Sequence, residues 1–108
     1  MSGAERRKSP RKAVDLPVRC LVDGRSFPGR LRDICRDAAL IEAHQACPLD
    51  TRMVLALELP GAGAVELAGR VIRLAGGEGD AHGMAVLFTG ATPAVATRID
   101  LFLSRDPA

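Results

Sequence analysis

The chain has 108 residues, 47% hydrophobic and 26% charged, which fits one domain with one modest core and excludes a disordered chain. Three Phe with no Trp and no Tyr argue against a base-stacking platform for single-stranded nucleic acid. The net charge is only +2, yet Arg6, Arg7, Lys8, Arg11 and Lys12 crowd together beside Glu5 and leave the remainder slightly acidic, the pattern of an arm that meets something anionic.

The basic arm is assigned to residues 1–13 and is expected to be flexible, because no core residue lies among its charges. A barrel with a carboxy-terminal helix is assigned to residues 14–104. Apolar residues alternate at Val14, Leu16, Val18, Cys20 and Val22, the period of a half-buried strand. Asp23-Gly24 then supplies a hairpin turn. A second strand over residues 27–34 and a third over 38–42 flank the polar interruption Cys35-Arg36-Asp37, where Arg36 and Asp37 read as a solvated pair at a bend. A loop over residues 47–50 precedes a strand over 53–59, with Leu55, Leu57 and Leu59 on one face. The longer strand over 65–74 carries apolar residues on both faces, which predicts a bulge or a covering element. The glycines at 76, 77 and 79 break it before a last strand over 82–88. Thr92 can cap a helix that starts with Pro93, and Val95, Ile99, Phe102 and Leu103 form its apolar stripe. Six short strands and one amphipathic helix predict an all-β fold, a small closed antiparallel barrel plugged or flanked by that helix.

Cys20, Cys35 and Cys47 are odd in number and lack metal-site spacing with His44 or His82, so reduced thiols, no metal and a cytoplasmic location are expected. No apolar run suggests a secretion signal or a membrane span, so no membrane insertion is expected. Nor is there a nucleophile–base grouping or a phosphate-cradling glycine loop ahead of a helix, which argues against an enzyme.

Two motifs fall at element boundaries. Arg7-Lys8-Ser9-Pro10-Arg11 is R-x-x-x-R just ahead of the first strand. Asp33-Ile34-Cys35-Arg36-Asp37-Ala38 lies where the second strand turns into the third. With "GRVIRL" at residues 69–74 and "HGMAVLF" at 82–88, the chain resembles the PilZ domain family over nearly its whole length. That family has a six-stranded barrel with a carboxy-terminal helix, and many members bind cyclic di-GMP through R-x-x-x-R and D/N-x-S-x-x-G. The resemblance implies that Arg7 and Arg11 grip guanine edges and phosphates, with Arg6 as an auxiliary. A guanidinium fork suits both targets, whereas lysine offers only a point charge. Asp33 would accept from the N1–H and N2–H donors of a guanine. Cys35 stands where the family has serine, and Ala38 where it has glycine. A thiol donates poorly, and alanine disfavours a positive φ if the turn requires one.

The leading expectation is a stand-alone receptor and adaptor, monomer or weak dimer, that binds cyclic di-GMP and signals to an unidentified partner protein. The alternative is a degenerate adaptor that has lost the nucleotide and acts by protein contact in motility or pilus function. A basic-armed barrel for nucleic acid is the least favoured reading.

Overall fold

The computed structural model describes residues 11–105. Six strands follow one another in the order β1 (Lys12–Val22), β2 (Arg25–Ile34), β3 (Ala38–Ala43), β4 (Arg52–Leu59), β5 (Gly63–Gly76) and β6 (His82–Gly90), and the helix α1 (Pro93–Ser104) closes the sequence of elements. All neighbours are antiparallel, and the sheet closes on itself in the order β1-β2-β3-β6-β5-β4. The expected barrel is the one observed. Closure removes the exposed sheet edges that a domain of this size could not otherwise cover.

The alternation seen in sequence is the alternation of burial. Val18 and Cys20 of β1, Leu55, Leu57 and Leu59 of β4, and Met84 and Val86 of β6 are all buried, while the residues alternating with them are more exposed. Asp23 and Gly24 form the β1–β2 turn with φ values of 51 and 77 degrees. Two left-handed residues in a two-residue loop match the twist of the strands they join.

The seam between β1 and β4 is short, with only Arg19, Cys20 and Leu21 paired to Ala56, Leu55 and Val54. Pro17 has no N–H to donate and lies just beyond that seam, which suits a proline to a stretch with one unpaired side. Helix α1 packs on β4 and β5 beside it and buries Ile99 and Phe102. Its start is set as expected: Thr92 accepts from the Val95 amide and Pro93 opens the helix.

Two elements differ from expectation in extent. Strand β1 begins at Lys12, so residues 12 and 13, counted with the arm, are paired to Ile34 and Asp33 of β2. Charge and lack of apolar residues had suggested otherwise, but backbone pairing does not require an apolar side chain. In β5 the bulge predicted from its two-faced pattern lies between Val71 and Arg73, and it leaves Ile72 43% exposed.

Two of the three thiols belong to the core. Burial pushes Cys20 up to about 11, with Cys47 adding to the effect, and burial raises Cys47 as well. Such thiols pack as small hydrophobes. The folded state holds the Cys20 proton more tightly than an unfolded chain, whose thiol ionises near 9.0. The associated stability is therefore complete below about pH 9 and is lost as pH rises through about 11. Urea melts across that window should lose on the order of 2 kcal/mol more in the wild type than in Cys20→Ala; equal slopes would contradict the assignment.

Candidate functional site

Leu31 of β2 faces the core and is 1% exposed. In an unbroken strand, Asp33 would face the core too, since residues two apart share a face. The register instead shifts between Leu31 and Asp33 against β3, and between Ala13 and Leu16 against β1. The result is that Ile34 takes the core position, at 1% exposure, and Asp33 lies opposite Ala13 and Leu40 on the outer surface. A bulge re-aims a side chain in this manner. The sequence signal is the three-residue gap between Leu31 and Ile34, which breaks the two-residue period.

The outward carboxylate meets Arg11. The Arg11 Nη2 donates to Asp33 Oδ2 at 2.7 Å and its Nε to Oδ1 at 3.3 Å, a two-pronged pairing between residues 22 apart in sequence. The hydrogen bond to Asp33, and then its charge, raise the Arg11 pKa further. With side chains 45% and 22% exposed, the pair is solvated and screened, so its worth is orientation more than stability. Beside it on the outer face, Asp15 pairs with Arg30 at 2.7 Å and lies 3.6 Å from Arg32. This places two more guanidinium groups near the rim that the motif pattern did not single out.

Residues 35–38 close the β2–β3 connection, with the Cys35 amide donating to the Ala38 carbonyl at 2.9 Å. Among the described residues, the only non-glycine positions of positive φ are Asp23 and Asp50. Ala38 is therefore not held in a conformation that glycine alone tolerates, and the concern raised by its methyl group does not apply to the backbone. Arg36 reaches beyond the bend: its Nε lies 2.8 Å from Asp100 of α1. The bend lies against the helix, so a partner on another element is within reach. Asp37 is occupied as well, its carbonyl accepting from the Phe88 amide at 2.7 Å. Arg36, Asp37, Phe88, Ala96 and Asp100 line a hollow of about 300 Å³ next to this turn.

Lys12 goes the other way from Arg11. Its Nζ donates to the carbonyls of Phe102 and Arg105, at 2.9 and 2.6 Å, and lies 4.1 Å from the centre of the Phe102 ring. Of the residues expected to bind a ligand, Arg11, Asp33, Cys35 and Ala38 are gathered at one end of the barrel around the β2–β3 turn. Arg6 and Arg7 lie outside the described residues. Among the described residues, no three His, Cys, Asp or Glu side chains are grouped to hold a metal ion, and no helix is long and apolar enough to cross a membrane.

The PilZ domain family model matches residues 5–105, which includes both motifs. Among solved structures, the inhibitor of motility MotI/DgrA of Bacillus subtilis aligns with a TM-score of 0.79 at 12% identity, covering 90% of this chain and 49% of that one. The PilZ domain of Escherichia coli YcgR, solved with cyclic di-GMP, gives a TM-score of 0.72 at 14% identity over 91% of this chain and 88% of that one. The MrkH–cyclic di-GMP complex of K. pneumonia gives 0.72 at 15% identity over 90% and 50%. This chain thus spans about half the length of MotI and of MrkH. A search of curated proteins by sequence finds no match.

The outward turn of Asp33 predicts opposite costs for adjacent residues. Ile34→Ala should destabilise the fold by about 2–4 kcal/mol through lost burial and a residual cavity, whereas Asp33→Ala should stay within about 1 kcal/mol. Urea denaturation decides the matter, since an unbroken β2 would reverse the ranking.

Proposed function

Because the chain belongs to the PilZ domain family, we propose that the rim around Arg11 and Asp33 is a receptor site for cyclic di-GMP and that its output is a changed surface read by a partner protein. The observation that carries this reading is the Arg11–Asp33 contact at 2.7 Å. The last arginine of one motif and the first residue of the other meet at the same point on the barrel. Arg11 lies just ahead of β1 and Asp33 at the end of β2.

Both groups can exchange partners when the nucleotide arrives. Arg11 turns its fork from the carboxylate to a phosphate, or to the O6/N7 edge of a guanine. Asp33 then accepts from the N1–H and N2–H of a guanine, a pair of donors spaced for a carboxylate. Breaking the ion pair costs little, because an exposed pair of this kind is worth at most about 1 kcal/mol, and charge-assisted bonds to phosphate more than replace it. Arg7 provides the second fork and Arg6 an auxiliary charge in this scheme. Cys35 and Ala38 border the ligand at the turn. The thiol is a weaker donor than the family's hydroxyl, while the alanine has no strained φ to relieve. The solved complexes of YcgR and MrkH, whose barrels this one resembles, support the choice of ligand. A cytoplasmic receptor without catalytic chemistry follows from a second messenger as ligand.

One observation favours a second reading, in which the nucleotide is lost and protein contact remains. Cys35 stands in a donor position and Arg11 is already satisfied by Asp33, which gives a self-contained surface of the kind an adaptor presents. The likeness to an inhibitor of motility is compatible with that alternative.

Calorimetric titration with cyclic di-GMP separates the two. The receptor reading expects binding by the wild type, with a loss of at least about tenfold in each of Arg7→Ala, Arg11→Ala and Asp33→Ala, and weakening with added salt. No heat from the wild type, together with binding gained in Cys35→Ser/Ala38→Gly, establishes the adaptor reading instead.

A further inference from the structure

The end of α1 is finished without charge of its own. Its last turn holds no basic residue, and its cap is Arg105 in an extended conformation, φ −82 degrees, rather than a glycine in the left-handed region. Within the helix end the Arg105 amide donates to the Phe102 carbonyl at 3.3 Å and Ser104 Oγ to the Leu101 carbonyl at 2.9 Å, and the negative end of the helix dipole still favours a cation. The cation comes from the far end of the sequence. Lys12 donates to Phe102 and Arg105 from a residue about ninety positions away, while its ammonium lies against the buried Phe102 ring. Lys12 can do so because it continues the inward phase of β1, two residues before Val14, at the open end of the barrel. There the backbone still pairs with Ile34, but the core has given way to the helix.

The neighbouring residue, Arg11, holds Asp33. Two consecutive side chains therefore grip two different bodies, the rim carboxylate and the helix end. A backbone pinned on both sides fixes where the Arg11 guanidinium can reach. We propose that Lys12 is a positioning residue of the nucleotide site: by clasping the last turn of α1 it presents Arg11 to the rim, and it couples that site to the helix end. The proposal rests on the receptor reading for its ligand, but the clasp itself is a property of the free protein. Coupling of this kind is reciprocal. Whatever releases Arg11 from Asp33 loosens the clasp, and whatever moves the last turn of α1 alters the grip on the nucleotide. The surface most directly exposed to that exchange is the carboxy-terminal turn, where Leu101 is 43% exposed.

Lys12→Met keeps the aliphatic stem over Phe102 and removes the ammonium, and Lys12→Arg keeps a donor. In the ligand-free protein, Lys12→Met should speed amide exchange in the last turn of α1 by about tenfold and broaden the Arg11 Nε–H resonance. Exchange in the Thr92-capped first turn should stay as it was, which distinguishes a local release from general destabilisation. Lys12→Arg should restore the Arg11 resonance. With cyclic di-GMP present, the wild type should show altered exchange at the helix end, and Lys12→Met should bind about tenfold more weakly without that response. An unchanged Arg11 resonance in Lys12→Met, with only the helix end frayed, would reduce Lys12 to a cap and overturn the proposal. A wild type that ignores cyclic di-GMP defeats the receptor reading, and the ligand-free comparison still decides whether Lys12 positions Arg11.

Discussion

Between the paired positions Ala13/Asp33/Leu40 and Leu16/Leu31/Ile41, β1 has two intervening residues, β2 has one and β3 has none. The ladder fans open at that point, and the rest of the rim depends on it. A barrel this small needs Ile34 in its core, yet Leu31 already fixes the inward phase of β2. Only an extra residue, Arg32, lets both be buried. The same irregularity delivers Asp33 to the outside, in reach of Arg11, and lines up Ala13 across from it. Packing of the core and display of the carboxylate are thus one constraint with two consequences. A strand without the bulge would have buried an unpaired charge, which the interior does not tolerate.

The surface is laced with arginine contacts. Arg11–Asp33, Arg30–Asp15, Arg36–Asp100 and Arg70–Asp50 all fall between 2.7 and 2.8 Å, and Arg98 donates to the Ala64 carbonyl at 2.7 Å. With such exposure these pairs contribute little stability individually; the buried aliphatic residues of the barrel do that work. What the pairs accomplish is placement. Arg36 ties the β2–β3 turn to the middle of α1, and Arg98 ties the helix to the start of β5. The turn that carries the second motif and Lys12, the first residue of β1, are both referred to the same helix.

Most of the fold could be read from periodicity because each strand buries one face of a closed sheet, so its apolar residues must alternate. The helix was legible for the same reason at its own period, with Thr92 and Pro93 marking its start. The bulge in β5 announced itself through apolar residues on both faces, but the one in β2 did not stand out, since one extra residue hides inside a strand flanked by charges. Both motifs were visible, as were the residues of the candidate site, yet the partners of their neighbours were not. Arg36 and Asp37 look like a pair along the chain, and nothing in that pattern shows that the helix brings Asp100 within 2.8 Å of Arg36. The status of Ala38 likewise depends on a backbone angle that composition cannot supply.

Lys12 is the residue least legible of all, and the reason is general. In sequence it is one more charge in a basic run, and its role is defined by a helix end that folds beside it from the other terminus. A lysine suits that position where an arginine suits the one before it. The ammonium is compact enough to sit between two carbonyls and against a ring face, as cations do on aromatic surfaces, whereas the carboxylate of Asp33 presents two oxygens that a planar fork can match. Adjacent cations in one run are thereby sent to different targets by the alternation of the strand, one toward the rim carboxylate and the next toward the helix end. That sorting fixes the backbone on two sides where β1 begins, against the rim carboxylate and against the helix end.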